Sequence, residues 1–325
     1  MPNRVLAVIV SYNPELESLA ASITGLLTQC DVLVVDNASL NQDQVKQHCE
    51  RLSVDEHSSS ANIYDLSYVG LPHNMGLGVA HNQGIAKAQT QGCDYVLLLD
   101  QDTQLTTNCL EILLSAHQRK TAAGNKISAV GASYAHGEQK ESVYIRFGAL
   151  KFSRHGAEEQ DRDGCVATDF LISSGSLIST QALQQIGNMD EDLFIDHVDT
   201  EWFLRARAKG YQAYGVPGAK MRHSLGETSH VVSLNGRQRN VPQHKPFRYY
   251  YIFRNSILLY RRSYISALWK WNDIQRLFMI FAMFGILKAP RKKNLSMMFK
   301  GIWHGLAGKK GAQFKLDSEP FSSNK

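Results

Sequence analysis

Tyr95-Val96-Leu97-Leu98-Leu99-Asp100-Gln101-Asp102-Thr103 is the stretch on which the reading of this chain turns. Apolar residues in an unbroken run, with Gly92 before them and polar residues after, fit an internal strand of a parallel sheet covered on both faces. The strand delivers two carboxylates to its carboxyl end, where ligands of open α/β sheets collect. Acids at i and i+2 can turn oxygens toward one hard divalent cation, and such a cation commonly carries a substrate's phosphates. A solvated turn after a strand would also display two acids.

Outward from this strand, short apolar runs alternate with helical stretches from Arg4 to about Val130, the pattern of βα units on a mostly parallel sheet. Strands are expected at 4–11, 31–36, 63–69, 94–99 and 127–134. One helix should start near Pro14 and run through Leu26, and another should start near Gly76 and run to Gln91. Residues 135–166 are polar and predict irregular or antiparallel insertions. A second pattern follows, with a short helix near 180–187, an apolar strand ending at Asp196, a helix over Asp199 to Lys209 and a strand over Tyr211 to Val216. Residues 223–245 look like loop, and from Phe247 onward the chain is aromatic, basic and helical in character. These shifts divide the chain into an α/β domain over 1–230 and a helical extension over 231–325.

The chain has 325 residues, with 35 Lys and Arg against 30 Asp and Glu, and a net charge of +5 is too small to argue for nucleic acid. Its distribution is uneven: no acid stands between Asp273 and Asp317, where Arg276, Lys288, Arg291, Lys292, Lys293, Lys300, Lys309, Lys310 and Lys315 all fall. That end faces something negative. The five cysteines are widely spaced without a Cys-x-x-Cys pair, which indicates neither a disulfide framework nor a zinc knuckle and suits reduced thiols. The apolar run Val5 to Val10 is too short for a secretory signal, so a cytoplasmic protein is expected.

Two further segments carry chemistry. Asn74-Met75-Gly76-Leu77-Gly78-Val79-Ala80-His81-Asn82-Gln83-Gly84 is a Gly-rich turn entering a helix, whose small residues let backbone approach a bound group and whose amino end favours anionic oxygens. Val34-Val35-Asp36-Asn37 ends the second strand with an acid that could accept the ring N–H of a pyrimidine, or could cap a turn.

Together with Val10-Ser11-Tyr12-Asn13-Pro14, Ser174-Gly175-Ser176 and Phe194-Ile195-Asp196-His197-Val198-Asp199-Thr200-Glu201-Trp202, these segments resemble the GT-A glycosyltransferases of family 2, in family order across roughly residues 4–225. The resemblance implies a Rossmann-like GT-A fold with a C-terminal helical, membrane-associating extension. It implies a nucleotide-sugar donor held by Ser11, Asn13, Asp36, Asn74, Gly76, Gly78 and Asp100. Asp102 would bind Mg²⁺ or Mn²⁺, with His223 as a second ligand. An inverting transfer needs a base for the acceptor hydroxyl. The family commonly carries an acidic pair with the base second, whereas this chain has Asp196-His197, which leaves Asp196 first, Asp199 second and His197 third as the base. Asp199, and Glu201 after it, could instead cap the following helix.

The segment from Phe194 to Trp202, with Arg248-Tyr249-Tyr250 and Arg254-Asn255, is similar to the rhamnosyltransferase branch that builds O-antigens and related bacterial polysaccharides. That implies dTDP-L-rhamnose as donor, with UDP-galactofuranose or another activated hexose as the alternative. Leu277 to Leu287 is eleven apolar residues, short of the roughly 20 that span a bilayer. With its basic flank and Trp269, Trp271 and Trp303, it fits a helix resting on an anionic cytoplasmic leaflet, where a lipid-linked saccharide acceptor would be met. A core or dimer-interface helix would share this composition. Two rivals differ in class. A nucleotidyltransferase usually has a Gly-rich basic phosphate loop after its first strand, which Ser11-Tyr12-Asn13-Pro14 is not. A non-catalytic nucleotide-sugar-binding subunit would keep Asp36 and Asp102 without a working base.

Overall fold

A computed structural model describes residues 3–58, 64–134, 142–147, 152–223, 229–234 and 237–314. β1 (Val5–Ser11), β2 (Asp31–Asp36), β3 (Leu66–Gly70) and β4 (Tyr95–Asp100) run parallel in the order β3-β2-β1-β4. Past β4, β10 (Ser176–Ser179) lies antiparallel between β4 and β6 (Ile127–Tyr134), and β11 (Gln212–His223) runs parallel to β6. β5 (Thr103–Leu105) and β9 (Val166–Thr168) each pair antiparallel with β11. The sheet is therefore α/β and mostly parallel, as expected.

The apolar strands lack alternation because each face of the sheet has its own core. Leu6, Val8, Leu33, Val35, Val96 and Leu98 pack with α3 (Leu77–Thr90), α5 (Thr180–Ile186) and α6 (Val198–Ala208). Ala7, Ile9, Val32, Val34, Leu97 and Leu99 pack with α1 (Leu16–Leu27), α2 (Gln42–Ser58) and α4 (Cys109–Ala122). α1 shows the helical counterpart, with Leu19, Ile23, Leu26 and Leu27 buried at the spacing of one helix face.

Winding reverses between β1 and β4, since β2 and β3 lie to one side of β1 and β4 to the other. A crevice opens at the carboxyl ends of strands at such a switch point. Register sets Ser11 beside Asp36 and Val10 beside Asp100, so residues 25 to 90 positions apart in the chain share one sheet edge.

One loop expectation held and one changed. Within 135–166, β7 (Tyr144–Phe147) and β8 (Phe152–His155) form an antiparallel hairpin, while 135–141 and 148–151 lie outside the described residues. Within 223–245, β12 (Ser229–Leu234) pairs with β13 (Arg237–Pro242) where loop was expected. The overlooked signal is Asn235-Gly236 between them, the dipeptide that tight hairpins favour.

The carboxyl-terminal part is α7 (Pro246–Tyr260), α8 (Ala267–Ile280), a π-helical stretch (Phe281–Leu287) and α9 (Arg291–Leu306). Pro246 opens α7, where its missing N–H costs nothing, and Ser266 caps α8 by accepting from Trp269 N at 3.2 Å. α8 has two apolar sides: Trp269 and Leu277 are buried together with Asp273, whereas Trp271, Ile274 and Phe278 on the opposite side are exposed. Among the described residues no helix is long and apolar enough to cross a membrane. All five cysteines are free and buried.

Candidate active site at the carboxyl edge of the sheet

The ends of β1, β2 and β3 are tied into one polar cradle. Asp36 is fully buried and accepts from Ser11 Oγ at 3.0 Å, Ser39 N at 2.8 Å, Ser39 Oγ at 2.6 Å and Gln42 Nε2 at 3.1 Å. Its lone pairs are committed within the chain, so a base N–H could be accepted there only by displacing one of these donors. Asn13, held at φ 49°, accepts from Leu40 N at 2.7 Å. Asn74 Oδ1 takes Asn37 Nδ2 at 3.0 Å and Gly76 N at 3.1 Å, and Asn37 Oδ1 takes Met75 N at 2.8 Å. These side chains fix the loops around the crevice.

Gly76 and Gly78 do allow a close approach, but of the chain itself. A Cβ on Gly76, at φ +90°, would lie 2.5 Å from Phe194 O, and one on Gly78 would lie 2.8 Å from Asp190 O. The start of α3 is therefore packed against the segment leading to Asp196, and Leu77 N donates to Phe194 O at 2.6 Å.

Asp100 ends β4, its N–H donating to Ser174 Oγ at 3.1 Å, and Ser174 Oγ lies 2.7 Å from Thr103 Oγ1. Asp102 stands in the turn from β4 to β5, and the β5–β11 register sets His223 opposite Thr103, one residue beyond Asp102. The side chain of His223 lies outside the described residues. Among the described residues no three His, Cys, Asp or Glu are grouped so as to hold a metal by themselves.

Residues 191–199 are not the apolar strand expected to end at Asp196. Glu191–Leu193 is a 3₁₀ turn capped by Asp190, after which Phe194, Asp196 and His197 all take positive φ (65°, 60° and 63°). Among the described residues no strand pairs with this segment; carbonyls of the segment are bound by side chains of α7 instead. Asn255 Nδ2 reaches Leu193 O, Ile195 O and Asp196 O at 2.9, 2.8 and 2.9 Å, and Arg254 Nη2 reaches Leu193 O at 2.8 Å and Asp192 O at 3.2 Å. Three non-glycine residues at positive φ cost on the order of 1–3 kcal/mol each, and five hydrogen bonds contribute about 1 kcal/mol apiece, so the two roughly balance. Backbone strain concentrated beside acids is typical of functional loops.

The loop's two acids sit in opposed environments. Burial disfavours a charge on Asp196, but Arg248 overrides it, with Nη2 2.6 Å from Oδ1, and holds the carboxyl below its ordinary value. Among the described residues no cation pairs with Asp199; burial, with Asp196 and Asp100 nearby, pushes it up to about 6 despite donation from Thr200 N at 2.7 Å. It lies in the first turn of α6, where His197 holds the cap position, so neither acid is the helix cap. Glu201 is no cap either: it is fully buried and paired with Arg205 Nε at 2.8 Å and Arg262 Nη1 at 3.2 Å.

Asp100, Asp196 and Asp199 thus converge at the sheet edge that also carries Ser11 and Asp36. The glycosyl transferase family 2 model matches residues 6–187, more than half of the chain. The chain belongs to glycosyltransferase family 2. A dTDP-rhamnosyl transferase of Shigella flexneri is 31% identical over 318 residues, covering 96% of this chain and 97% of that protein. Among solved structures, S. aureus TarS in complex with UDP-GlcNAc superposes with a TM-score of 0.54 at 14% identity, covering 93% of this chain and 81% of that one. GalNAc-T7 with UDP, GalNAc and Mn²⁺ gives 0.55 at 13% identity, over 86% of this chain and 56% of that chain. These likenesses show the GT-A fold. In the structure Arg248 pairs with Asp196 while Arg254 and Asn255 bind the carbonyls of the loop before it; in the sequence Arg248-Tyr249-Tyr250 and Arg254-Asn255 stood out as motifs with no role given to these side chains.

Proposed function

We propose that this glycosyltransferase transfers L-rhamnose from dTDP-L-rhamnose, with inversion, to a lipid-linked saccharide in bacterial surface polysaccharide synthesis, using Asp199 as base. The donor reading is supported by the dTDP-rhamnosyl transferase likeness, which runs through α7–α9 as well as the sheet. The observation that carries the mechanism is the split between the loop's acids: one ionised against Arg248, the other raised to about 6. Neighbouring carboxyls pushed apart in this way mark acid and base roles. Asp199 accepts the acceptor's hydroxyl proton as that oxygen bonds to the anomeric carbon, while the opposite bond to the diphosphate breaks and dTDP departs with its electron pair.

Asp102 and His223 would hold Mg²⁺ or Mn²⁺. A carboxylate and an imidazole at one strand end suit a cation whose remaining ligands are substrate phosphates, and when bound it neutralises charge on the leaving diphosphate. Titration calorimetry with dTDP and Mn²⁺ tests this. We expect metal-dependent binding that weakens roughly 100-fold in Asp102→Ala, a loss of about 2.7 kcal/mol; undiminished affinity in that variant refutes the assignment. A panel of dTDP-rhamnose, UDP-galactofuranose and UDP-hexoses then reads the donor directly.

The acceptor reading draws on the outer surface of the last helices. Trp271, Ile274 and Phe278 of α8, Ile286 and Leu287, and Phe299, Trp303 and Leu306 of α9 are exposed apolar residues, beside Lys288, Arg291, Lys292, Lys293 and Lys300. Wide aromatic faces with a basic border suit peripheral seating on an anionic inner leaflet. In flotation, the protein should rise with phosphatidylglycerol vesicles and not with phosphatidylcholine alone, and Trp271→Ser with Trp303→Ser should abolish it. Equal flotation of that variant removes the membrane reading.

A further inference from the structure

Between the two acids stands His197, which the proposed chemistry does not use. Its Nε2 lies 2.9 Å from Arg276 Nη2 of α8 and 3.1 Å from Ser256 Oγ of α7, and its ring meets Trp269 edge-on at 5.9 Å. A guanidinium only donates, so Nε2 is the acceptor, the ring proton is on Nδ1 and the imidazole is neutral. Arg276 is itself clamped by buried Asp273, Nε to Oδ1 at 2.8 Å, and Asp273 accepts Tyr260 OH at 2.7 Å. The charged groups about His197 are therefore Arg276 and Asp273 from α8 and Asp196 from its own loop, with Ser256 and, through Asp273, Tyr260 from α7.

We propose that Arg276 is a positioning residue for the base: by donating to His197 Nε2 it keeps the imidazole neutral and pins the left-handed turn from which Asp196 and Asp199 diverge. The assignment rests on Asp199 being the base, but the hold on His197 does not. Burial, followed by Arg276, pushes His197 down to about 4 against the pull of Asp273 and Asp196. Without Arg276, burial still opposes a charge on His197, but the pull of the two carboxylates is no longer answered by a cation and the imidazole becomes easier to protonate. A cation two residues from Asp199 would lower that carboxyl's pKa and weaken it as a base. α8 thus has an inner side that grips the catalytic loop and an outer side that displays Trp271, Ile274 and Phe278.

Arg276→Met is the test, because the side chain is 40% exposed and Asp273, which loses its cation, keeps Tyr260 OH as a donor. His197, assigned with His197→Gln, is followed by NMR titration beside the pH dependence of kcat. Wild-type His197 should stay neutral down to about pH 5, while in Arg276→Met its pKa should rise, yet stay below the ordinary value of about 6.5 because burial, the larger cause, remains. The acid limb of kcat should move to lower pH by about half a unit or more, with kcat down roughly tenfold, the donor KM within about twofold, and Arg276→Lys restoring most of the rate. Wild-type His197 titrating near its ordinary value, or an Arg276→Met enzyme with unmoved limb and rate, overturns the proposal. If Asp199→Asn proves active, the base assignment fails by itself, and the His197 titration still decides whether Arg276 holds the ring.

Discussion

Asp199→Asn is expected to lower kcat roughly 1,000-fold while dTDP binding stays within about twofold, since general base catalysis contributes on the order of 10²–10⁴ and the proposed nucleotide cradle lies on β1–β3. The wild-type pH profile checks the same assignment. A base with its pKa raised to about 6 is protonated below that value, so kcat should fall tenfold per unit as pH drops below about 6 and level off above it. Asp196→Asn separates the two acids. It removes a negative neighbour of Asp199 and frees Arg248, and both changes favour the Asp199 carboxylate, so the acid limb should move to lower pH with activity partly retained. Asp196→Asn inactive and Asp199→Asn active would reverse the assignment.

The second large effect is structural in origin and catalytic in readout. Asn255→Leu takes the amide donor from Ile195 O and Asp196 O, leaves Leu193 O with Arg254 Nη2 alone, and leaves Arg254 Nε without the Asn255 Oδ1 it reaches at 2.9 Å. Buried groups left unpaired cost about 1–3 kcal/mol each, so a loss of about 3 kcal/mol or more, seen as a lowered Tm, is expected. With the amide donor gone and only Arg254 still holding the start of the loop, the positive-φ residues relax, and a displacement of the base by about 1 Å is enough for a roughly 100-fold loss of kcat. dTDP affinity should be nearly unchanged, because the cradle around Asp36 makes no contact with Asn255 among its hydrogen bonds. Near wild-type turnover in this variant would show that α7 does not hold the loop.

The sheet was readable because burial on both faces writes itself into composition: Tyr95 to Leu99 and Val5 to Val10 are continuous apolar runs, and such runs have few other uses in a βα chain. The carboxyl-edge acids followed from strand ends. What failed was local: Asp196 was expected to end a strand, because Leu193-Phe194-Ile195 is as apolar as a strand, yet its carbonyls find Arg254 and Asn255 some 60 residues later. Gly76 and Gly78 suggested room for a ligand, and the room is taken by Phe194 and Asp190. Of the paired strands β12 and β13, β13 is mostly polar and the apolar residues of β12, Val231, Val232 and Leu234, do not alternate, so no strand pattern stood out.

By itself the sequence determined a mostly parallel α/β sheet with acids at one edge, because hydrophobic periodicity and strand-end chemistry are local. Only the tertiary structure decided which acid is free to take a proton. That depends on Arg248 reaching Asp196 while Asp199 is buried beside Asp196 and Asp100, and proton affinity is set by whichever charges and buried surfaces the fold brings within a few ångströms, however far apart they lie along the chain.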